Sequence, residues 1–479
     1  MRFLDGRPAH DLTYSDVFLA PSRSAVTSRF DVDLTPGDGT PATLPIVSSN
    51  MNAVTGPRMA AALARRGGLG ILPQDLPLQE LDAALGWVKA QPVGFDTAVE
   101  LRAHDTVAAA LAQVPPTPGF GVIVTDDAGA LLGVIQAERL AVAIRDAPLG
   151  DLLGEPVAAV DLDEVADSRA AFDLMVEAGL EFAPVVHNGH LIGTISRRGA
   201  LRSTLYQPAL GADGRLAVGA AIGINGDVAA KARAIVAAGA DLLVVDTAHG
   251  HQDGAIRAIE AVAALDLGVP IVAGNVVTAN GVHDLVSAGA TIIKVGVGPG
   301  AMCTTRMMTA VGRPQFSAVL ETAEAARELG AHVWADGGVR YPRDVALALA
   351  AGAHSVMIGS WFTGTIEAPG AIALDAEHRA YKENWGMAST KAVTARFRRL
   401  DHYDLAKKAL FAEGISSSRI YLDPLRPSVE DLLDMITAGL RSAMTYTGAR
   451  RLDTFHERAI VGVQSAAGYE EGKALPVSW

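Results

Sequence analysis

The sequence of 479 residues contains one cysteine, Cys303, so the chain cannot form an intrachain disulfide. Stable disulfides belong to oxidising compartments, and their exclusion is typical of a protein from a reducing one. The first six residues also lack the apolar segment of a signal peptide. We therefore expect a cytoplasmic location.

Positive charge and long apolar runs are scarce as well. Lys and Arg number 40 against 53 Asp and Glu, which gives a net charge of −13. Because a nucleic-acid surface needs a basic patch, we expect no nucleic-acid partner. One phosphate group needs only a few local donors, so a bound nucleotide is not excluded. No run reaches the roughly 18 apolar residues of a membrane helix, so we expect no membrane partner.

Short apolar runs and glycine are abundant instead. Eight such runs each end in small or polar residues, and alanine-rich segments with helical spacing lie between most of them. The runs are residues 46–47, 70–72, 218–221, 242–245, 271–273, 292–295, 332–335 and 355–358. Buried strands that alternate with helices indicate a parallel sheet, and eight units predict a (β/α)₈ TIM barrel with its active site at the carboxyl ends of the strands. A doubly wound sheet is the alternative, but polar clusters after nearly every run favour the barrel.

Residues 92–205 interrupt the barrel pattern with an internal repeat. Residues 121–135 and 183–195 share one pattern of strand, turn and strand, and Gly133 and Gly193 occupy equivalent positions sixty residues apart. The predicted organisation is therefore a first barrel part (1–91), an insertion (92–205) and a second barrel part with the remaining C-terminal segment (206–479).

Cys303 follows the apolar run 292–295 and a loop that contains Gly296, Gly298 and Gly300. A rigid strand thus leads into a tight glycine loop that ends in a thiol flanked by hydroxyl groups. A thiolate is a strong nucleophile where nearby donors favour its ionised form. A lone cysteine is more often a small buried apolar residue, but this position favours a nucleophile.

The motif Gly-Pro-Gly-x-x-Cys-Thr-Thr-Arg at residues 298–306 resembles the catalytic loop of the IMP dehydrogenase and GMP reductase family. The resemblance extends over nearly the whole chain. It implies that Cys303 adds to C2 of a purine nucleoside monophosphate and that a hydride passes between this carbon and a nicotinamide.

The resemblance also assigns binding residues. Taken alone, polar residues such as Asp246 and Asp336 could equally be helix caps. In the family pattern, Asp336 binds the substrate ribose and Gly338, Gly359 and Ser360 bind its phosphate. The full predicted substrate set is Ser49, Met51, Asn275, Asp336, Gly338, Gly359, Ser360, Gly386, Met387 and Glu413. The predicted cofactor set is Asp246, Thr247, Ala248 and Asn275.

Further implications concern a cation, the assembly and the insertion. The resemblance implies a homotetramer or octamer. It also implies a K⁺ site formed by Gly298, Gly300 and Cys303 with Glu470, Glu471 and Gly472 of a neighbouring subunit. The insertion resembles a tandem pair of CBS modules, which often bind adenine or guanine nucleotides. The usual ribose-binding aspartate is replaced by Arg139 and Gly199, so a module without a ligand is an equal alternative.

The choice between the two family reactions depends on the segment that begins at Trp385. A dehydrogenase needs an Arg-Tyr pair there to activate water, and none occurs between residues 387 and 413. Thr305 supplies the hydroxyl that reductases place beside the thiol. We therefore predict NADPH-dependent reductive deamination of GMP to IMP and ammonia, with Cys303 and Thr305 as catalytic residues. Thr390 in place of the reductase glutamate, Ala301 in place of a phosphate-binding serine, and the insertion itself depart from that pattern.

Two alternatives remain at this point. One is NAD-dependent oxidation of IMP to XMP, which the insertion favours. The other is a nucleotide sensor without turnover, which the departures from the family pattern favour and the intact Cys303 and Thr305 disfavour.

Overall fold

A closed barrel of eight parallel strands, numbered β1 to β8 here, forms the centre of the chain in the computed structural model. The structure describes residues 1–128, 130–154, 159–162, 165, 167–188, 190–385, 401–410 and 417–473. The strands are Ile46–Ser48, Leu69–Leu72, Gly219–Ile222, Leu242–Asp246, Ile271–Val276, Ile292–Val295, His332–Asp336 and Ser355–Ile358. The predicted (β/α)₈ barrel is confirmed, and each of the eight apolar runs overlaps one barrel strand.

Eight helices, α1 to α8, surround the barrel. They are Pro57–Arg65, Leu78–Lys89, Val228–Ala237, Asp253–Ala263, Ala279–Ser287, Gln315–Glu328, Pro342–Ala350 and Val429–Thr447. Their many alanines allow close packing on the strands, and α7 buries all of its last seven residues. Helix α8 packs against both α7 and α1 and so closes the ring.

Side chains inside the barrel change from apolar to polar along the strands. Alternate residues of a strand face opposite sides, and the lower interior is an apolar cluster that includes Leu242, Val244, Ile292 and Trp334. Ile293, between two inward positions, packs outside against the helices. The next inward position of β6 is therefore Lys294, close to the carboxyl ends of the strands.

The insertion between β2 and β3 consists of two halves with the same topology. In each half, the first strand pairs in parallel with the second, and the second and third form an antiparallel hairpin. The first half comprises Glu100–Arg102, Val107–Leu111, Gly121–Thr125, Leu131–Gln136, Ala137–Val142 and the 3₁₀ turn Leu149–Leu152; the second comprises Val160–Asp161, Ser168–Glu177, Phe182–His187, His190–Ser196 and Arg197–Leu205. The assignment of these halves to CBS modules and the domain boundaries stay predictions.

Buried ion pairs join the insertion to the barrel. Arg66, at the end of α1, contacts Asp96 at 2.9 Å and Glu430 of α8 at 2.6 Å. Arg202, on the last helix of the insertion, contacts Glu430 at 3.0 Å and Asp431 at 2.6 Å. Burial leaves these charges dependent on one another, so the network fixes the insertion on α1 and α8.

The remaining elements cover the barrel. Strands Arg2–Phe3, Val17–Leu19 and Ile460–Val463 form one small sheet, and Ala373–Leu374, Ala380–Trp385 and Ser417–Tyr421 form an antiparallel sheet after β8. Short helices are Thr305–Thr309, Ser360–Thr363, His402–Leu410, Leu452–Arg458 and Ala466–Glu471, with 3₁₀ turns at Tyr14–Asp16 and Arg29–Asp31. Within the described ranges, no helix has the length and apolar character needed to cross a membrane.

Candidate active site

The loop after β6 carries Cys303 to the open end of the barrel. Gly296 has φ +149°, and a Cβ there would lie 2.2 Å from the carbonyl oxygen of Asp336. Gly298 has φ +80°, and a Cβ there would lie 2.2 Å from Cγ of Arg306. Side chains do not fit at these positions, so the two glycines allow the tight path. At its end the thiol of Cys303 is exposed.

The thiol has a hydroxyl as its neighbour. Sγ of Cys303 lies 3.2 Å from Oγ1 of Thr305, to which it donates a hydrogen bond, and the Cys303 N–H donates to the Gly300 carbonyl oxygen at 3.0 Å. Thr305 is the first residue of a short helix, which fixes its backbone beside the loop. An exposed nucleophile with a hydroxyl in contact suits covalent chemistry that also moves a proton.

Lys294 joins two carboxylates below this loop. Its Nζ lies 2.7 Å from Oδ1 of Asp246, at the end of β4, and 2.7 Å from Oδ2 of Asp336, at the end of β7. Only 4% of the lysine side chain is exposed. Burial alone would lower the pKa of Lys294, but the two negative charges outweigh it and raise the pKa above its ordinary value. The ammonium group therefore stays charged.

Gly274 makes this contact possible. In the barrel register, Gly274 of β5 lies between Asp246 and Lys294. A Cβ on Gly274 would lie 2.4 Å from the carbonyl oxygen of Lys294 and 2.8 Å from its Cβ. The missing side chain thus lets the lysine of β6 reach the aspartate of β4 across the intervening strand.

Asn275 and Asn50 hydrogen-bond to the two aspartates, and with Lys294, Asp246 and Asp336 they form a polar layer at the barrel mouth. Nδ2 of Asn275 donates to the Gly296 carbonyl oxygen at 2.6 Å and to Oδ2 of Asp336 at 2.9 Å, and Nδ2 of Asn50 donates to Oδ2 of Asp246 at 2.9 Å. Oδ1 of Asn275 is buried, and no described residue bonds to it. The contacts of Asn275 and Lys294 with the Asp336 carboxylate both involve Oδ2, so Oδ1 can accept a hydrogen bond from a ligand hydroxyl.

The predicted phosphate residues follow two neighbouring strands at one corner of the barrel mouth, Gly338 after β7 and Gly359 with Ser360 after β8. A Cβ on Gly359, after β8, would lie 3.2 Å from Oγ of Ser49 and 3.4 Å from Sδ of Met51. Oγ of Ser49 is buried, and the described part of the chain offers it no hydrogen-bond partner. A Cβ on Gly338 would lie 3.2 Å from Cβ of Pro299 in the cysteine loop. Ser360 begins the helix next to Gly359, so this corner combines a free hydroxyl with closely approaching backbone.

The predicted cofactor residues follow β4. The Thr247 N–H donates to the Gly274 carbonyl oxygen at 3.1 Å, and the Asn275 N–H donates to the Thr247 carbonyl oxygen at 3.0 Å. This exchange fixes the loop after β4 to the end of β5. Ala248, the next residue, is exposed at the rim. In the ring of eight strands, β4 lies four strands from β8 and hence across the barrel from Gly359.

Comparison with known proteins shows the family of this chain. Residues 11–474 match the family model described as the IMP dehydrogenase / GMP reductase domain. The chain belongs to this family. It is 54% identical to the GMP reductase of Mycobacterium tuberculosis (strain H37Rv) over 486 residues, with 100% of both chains covered. It is 36% identical to the inosine-5′-monophosphate dehydrogenase of that strain, with 96% of this chain and 88% of the relative covered.

Solved structures from the family share the fold. A GMP reductase cysteine-to-alanine variant from Trypanosoma brucei, in complex with guanosine 5′-monophosphate, is similar with a TM-score of 0.68 and 31% identity. The match covers 99% of each chain.

The remaining predicted residues belong to the segment after Trp385 and to the K⁺ site. Gly386, Met387 and Glu413 lie outside the described residues. Glu470 pairs with Lys473 at 2.6 Å, on a helix that packs against Tyr14–Asp16 of the same chain. The K⁺ site, with its contribution from a neighbouring subunit, stays a prediction. No cluster of three or more His, Cys, Asp or Glu side chains suited to a metal occurs in the ranges that the structure describes.

Four residues of the site were missing from the sequence-based set. Lys294 and Asn50 belong to the polar layer. Nε2 of Gln315 donates to the carbonyl oxygens of Val295 and Asp336, at 2.8 and 3.1 Å, and so joins the ends of β6 and β7. The Tyr14 hydroxyl is buried without a partner among the described residues. A lysine inside the apolar run 292–295 was the one available signal, because a charge in a buried strand needs a partner.

Proposed function

We propose that this protein catalyses the NADPH-dependent reductive deamination of GMP to IMP and ammonia. The observation that carries the proposal is the exposed thiol of Cys303, which is hydrogen-bonded to Thr305. It lies on the loop that follows the strand of Lys294, the lysine paired with two aspartates. Identity with GMP reductases reaches 54% over the full length, against 36% with inosine-5′-monophosphate dehydrogenases. Both lines of support favour the reductase reaction over the dehydrogenase reaction.

The polar atoms left open in the pocket fit a nucleoside monophosphate. Oδ1 of Asp336 is available to the ribose hydroxyls, and Oγ of Ser49 with the backbone N–H groups near Gly338, Gly359 and Ser360 would hold the phosphate. Met51, packed beside Gly359, would contact the purine. Asp246 and Thr247 would hold the ribose of the dinucleotide from the opposite side.

In the reaction, the Cys303 sulfur forms a bond to C2 of the purine. The bond from C2 to the exocyclic nitrogen then breaks, and the nitrogen takes up a proton and leaves as ammonia. A bound reduced nicotinamide supplies the hydride for C2. The carbon–sulfur bond breaks as the thiolate leaves, which restores Cys303. The Thr305 hydroxyl, which lies 3.2 Å from the sulfur, assists the proton movements.

The test is a spectrophotometric assay with the products separated by chromatography. We expect GMP to accelerate the loss of NADPH absorbance at 340 nm, with IMP and ammonia formed in equal amounts. Faster formation of XMP from IMP and NAD⁺ would overturn the reductase proposal in favour of the dehydrogenase. Binding of GMP with no turnover of either pair would favour the sensor.

A cavity of about 320 Å³ lies between the insertion and the barrel, lined in part by Thr97 and Ser196 of the insertion and by Arg58 of α1. Its size supports a purine nucleotide as a regulator, which stays a prediction. A Cβ on Gly199 would lie 2.5 Å from Oδ2 of Asp96. The chain's own carboxylate therefore occupies the space beside the position where the family places a ribose-binding aspartate.

Four further properties stay predictions. They are the preference for NADPH over NADH, the K⁺ requirement, the tetramer or octamer, and the cytoplasmic location. Turnover of GMP measured with NADPH and with NADH tests the cofactor preference, and turnover measured in KCl and in NaCl tests the K⁺ requirement. Light scattering tests the third.

A further inference from the structure

Two ligand sites of the barrel mouth share one buried cation. Lys294 contacts Asp246 and Asp336 at the same distance of 2.7 Å. We propose that Lys294 is a positioning residue common to both sites, which sets the carboxylate for the substrate ribose and the carboxylate for the dinucleotide ribose together. This inference rests on the proposed function, which assigns Asp336 to the purine nucleotide and Asp246 to the dinucleotide.

The hydrogen bonds leave the two carboxylates little freedom. Oδ2 of Asp336 accepts from Lys294 and from Asn275, and both contacts leave Oδ1 open to a ligand. Asp246 accepts from Lys294 at Oδ1 and from Asn50 at Oδ2. Because an ammonium group is compact, Nζ cannot move closer to one carboxylate without lengthening its contact with the other.

The position of the lysine is itself fixed. Its strand lies between β5 and β7, its stem follows Ile292 along the barrel interior, and its backbone lies against Gly274. With 4% of the side chain exposed, water has almost no access to the ammonium group. A change in charge or position of either aspartate is therefore transmitted to the other through Nζ rather than absorbed by solvent.

The decisive experiment measures the binding of GMP and of NADP⁺ separately, by titration calorimetry, to Lys294→Met and to wild type. We expect both dissociation constants to rise, each by about tenfold, because both carboxylates lose their common donor. The matched control is Lys89→Met, since Lys89 is an equally buried lysine between two aspartates at the other end of the barrel. Its dissociation constants should stay within about twofold of wild type.

Weaker binding of only one nucleotide by Lys294→Met, or of neither, would overturn the proposal. If that variant does not fold, Asp246→Asn and Asp336→Asn provide the same test. Each should weaken its own ligand, and each should also change the affinity for the other ligand by about fivefold, as expected for coupled groups in one network. A merely structural lysine would give no such cross-effect, and its absence in both variants contradicts the shared role. Wild-type protein that binds neither nucleotide contradicts the proposed function instead.

Discussion

Two buried lysines occupy similar settings at opposite ends of the barrel. Lys294 lies between Asp246 and Asp336 at the carboxyl ends of the strands. Lys89, at the end of α2, lies 2.7 Å from Asp241 and 3.6 Å from Asp213 at the amino ends. Both side chains are less than 5% exposed. The two ends thus use the same chemical group in the same kind of ion pair.

The carboxylates around the two lysines differ in the further hydrogen bonds that they accept. Oδ2 of Asp241 also accepts the Val218 N–H at 2.8 Å, and Oδ1 of Asp213 accepts the Arg215 N–H at 3.0 Å. At the other end, Oδ1 of Asp336 has no donor within the described residues. An ion pair whose carboxylates also accept backbone N–H groups stabilises the barrel. An ion pair that leaves one carboxylate oxygen without a donor can instead bind a ligand. This agrees with the general division of such barrels into a stabilising and a catalytic face.

Replacing Cys303 gives the largest expected effect and tests the catalytic end alone. For Cys303→Ala we expect turnover of GMP with NADPH to fall by at least about 10⁴-fold, because no other described side chain on that loop can bond to C2. The exposed thiol makes little contribution to packing, so the melting temperature should stay within about 1 °C. Retained turnover would show that the chemistry lies elsewhere, and retained GMP binding would show that the pocket is intact.

The second prediction concerns the stabilising end. Lys89→Met should lower the free energy of unfolding by about 3 kcal/mol, since it leaves the largely buried carboxylate of Asp241, 14% exposed, without its cation. The turnover number and both Michaelis constants should be unchanged within about twofold. Denaturant titration and steady-state kinetics measure the two quantities. An altered Michaelis constant for either nucleotide would remove the contrast between the two ends.

The barrel could be predicted from the sequence, because each buried parallel strand appears as a short apolar run followed by polar or small residues. This pattern is local and needs no knowledge of distant contacts. The run 292–295 and its glycine loop predicted both β6 and the site of the thiol. The predicted runs ended one residue before the strand end at Asp246 and three residues before it at Val276, because glycine and polar residues such as Gly274 and Asn275 still belong to the strand.

The partners inside the site were not accessible in this way. Asp246 and Asp336 could be named from their positions after strands, but their common contact with Lys294 depends on the register that places Gly274 between β4 and β6. That register follows from closure of the whole barrel rather than from any local pattern. The buried network at Arg66 and Arg202 escaped prediction for the same reason, since it joins residues more than 200 positions apart.

The third prediction uses a histidine pair at the stabilising end. Nδ1 of His354 accepts the Val333 N–H at 3.4 Å, and Nε2 lies 3.1 Å from Nδ1 of His332. Burial, followed by the neighbouring His332, lowers the pKa of His354 from 6.5 to about 4. Between these two values the unfolded chain binds a proton that the folded chain does not, so stability falls as the pH drops from 6.5 towards 4.

For His354 alone, the free energy of unfolding should fall by up to about 3 kcal/mol at pH 4. The measurement is the free energy of unfolding against pH for wild type and His354→Gln, whose side chain can still hydrogen-bond but does not titrate. The difference between the two curves should change by this amount between pH 6.5 and 4 and be constant above pH 7.5. Parallel curves would show that His354 is protonated in the folded state.

The smallest expected effect returns to the catalytic end and separates the thiol from its neighbour. Thr305→Val keeps the shape of the side chain and removes the hydroxyl that accepts from Cys303 at 3.2 Å. We expect the turnover number to fall by about tenfold, the value of one hydrogen bond, with an unchanged Michaelis constant for GMP. Thr309→Val is the control, because the Thr309 hydroxyl lies on the same short helix but donates to the Thr305 carbonyl oxygen at 2.7 Å. Equal losses in both variants would assign the effect to the helix, whereas a loss confined to position 305 assigns it to the hydroxyl beside the sulfur.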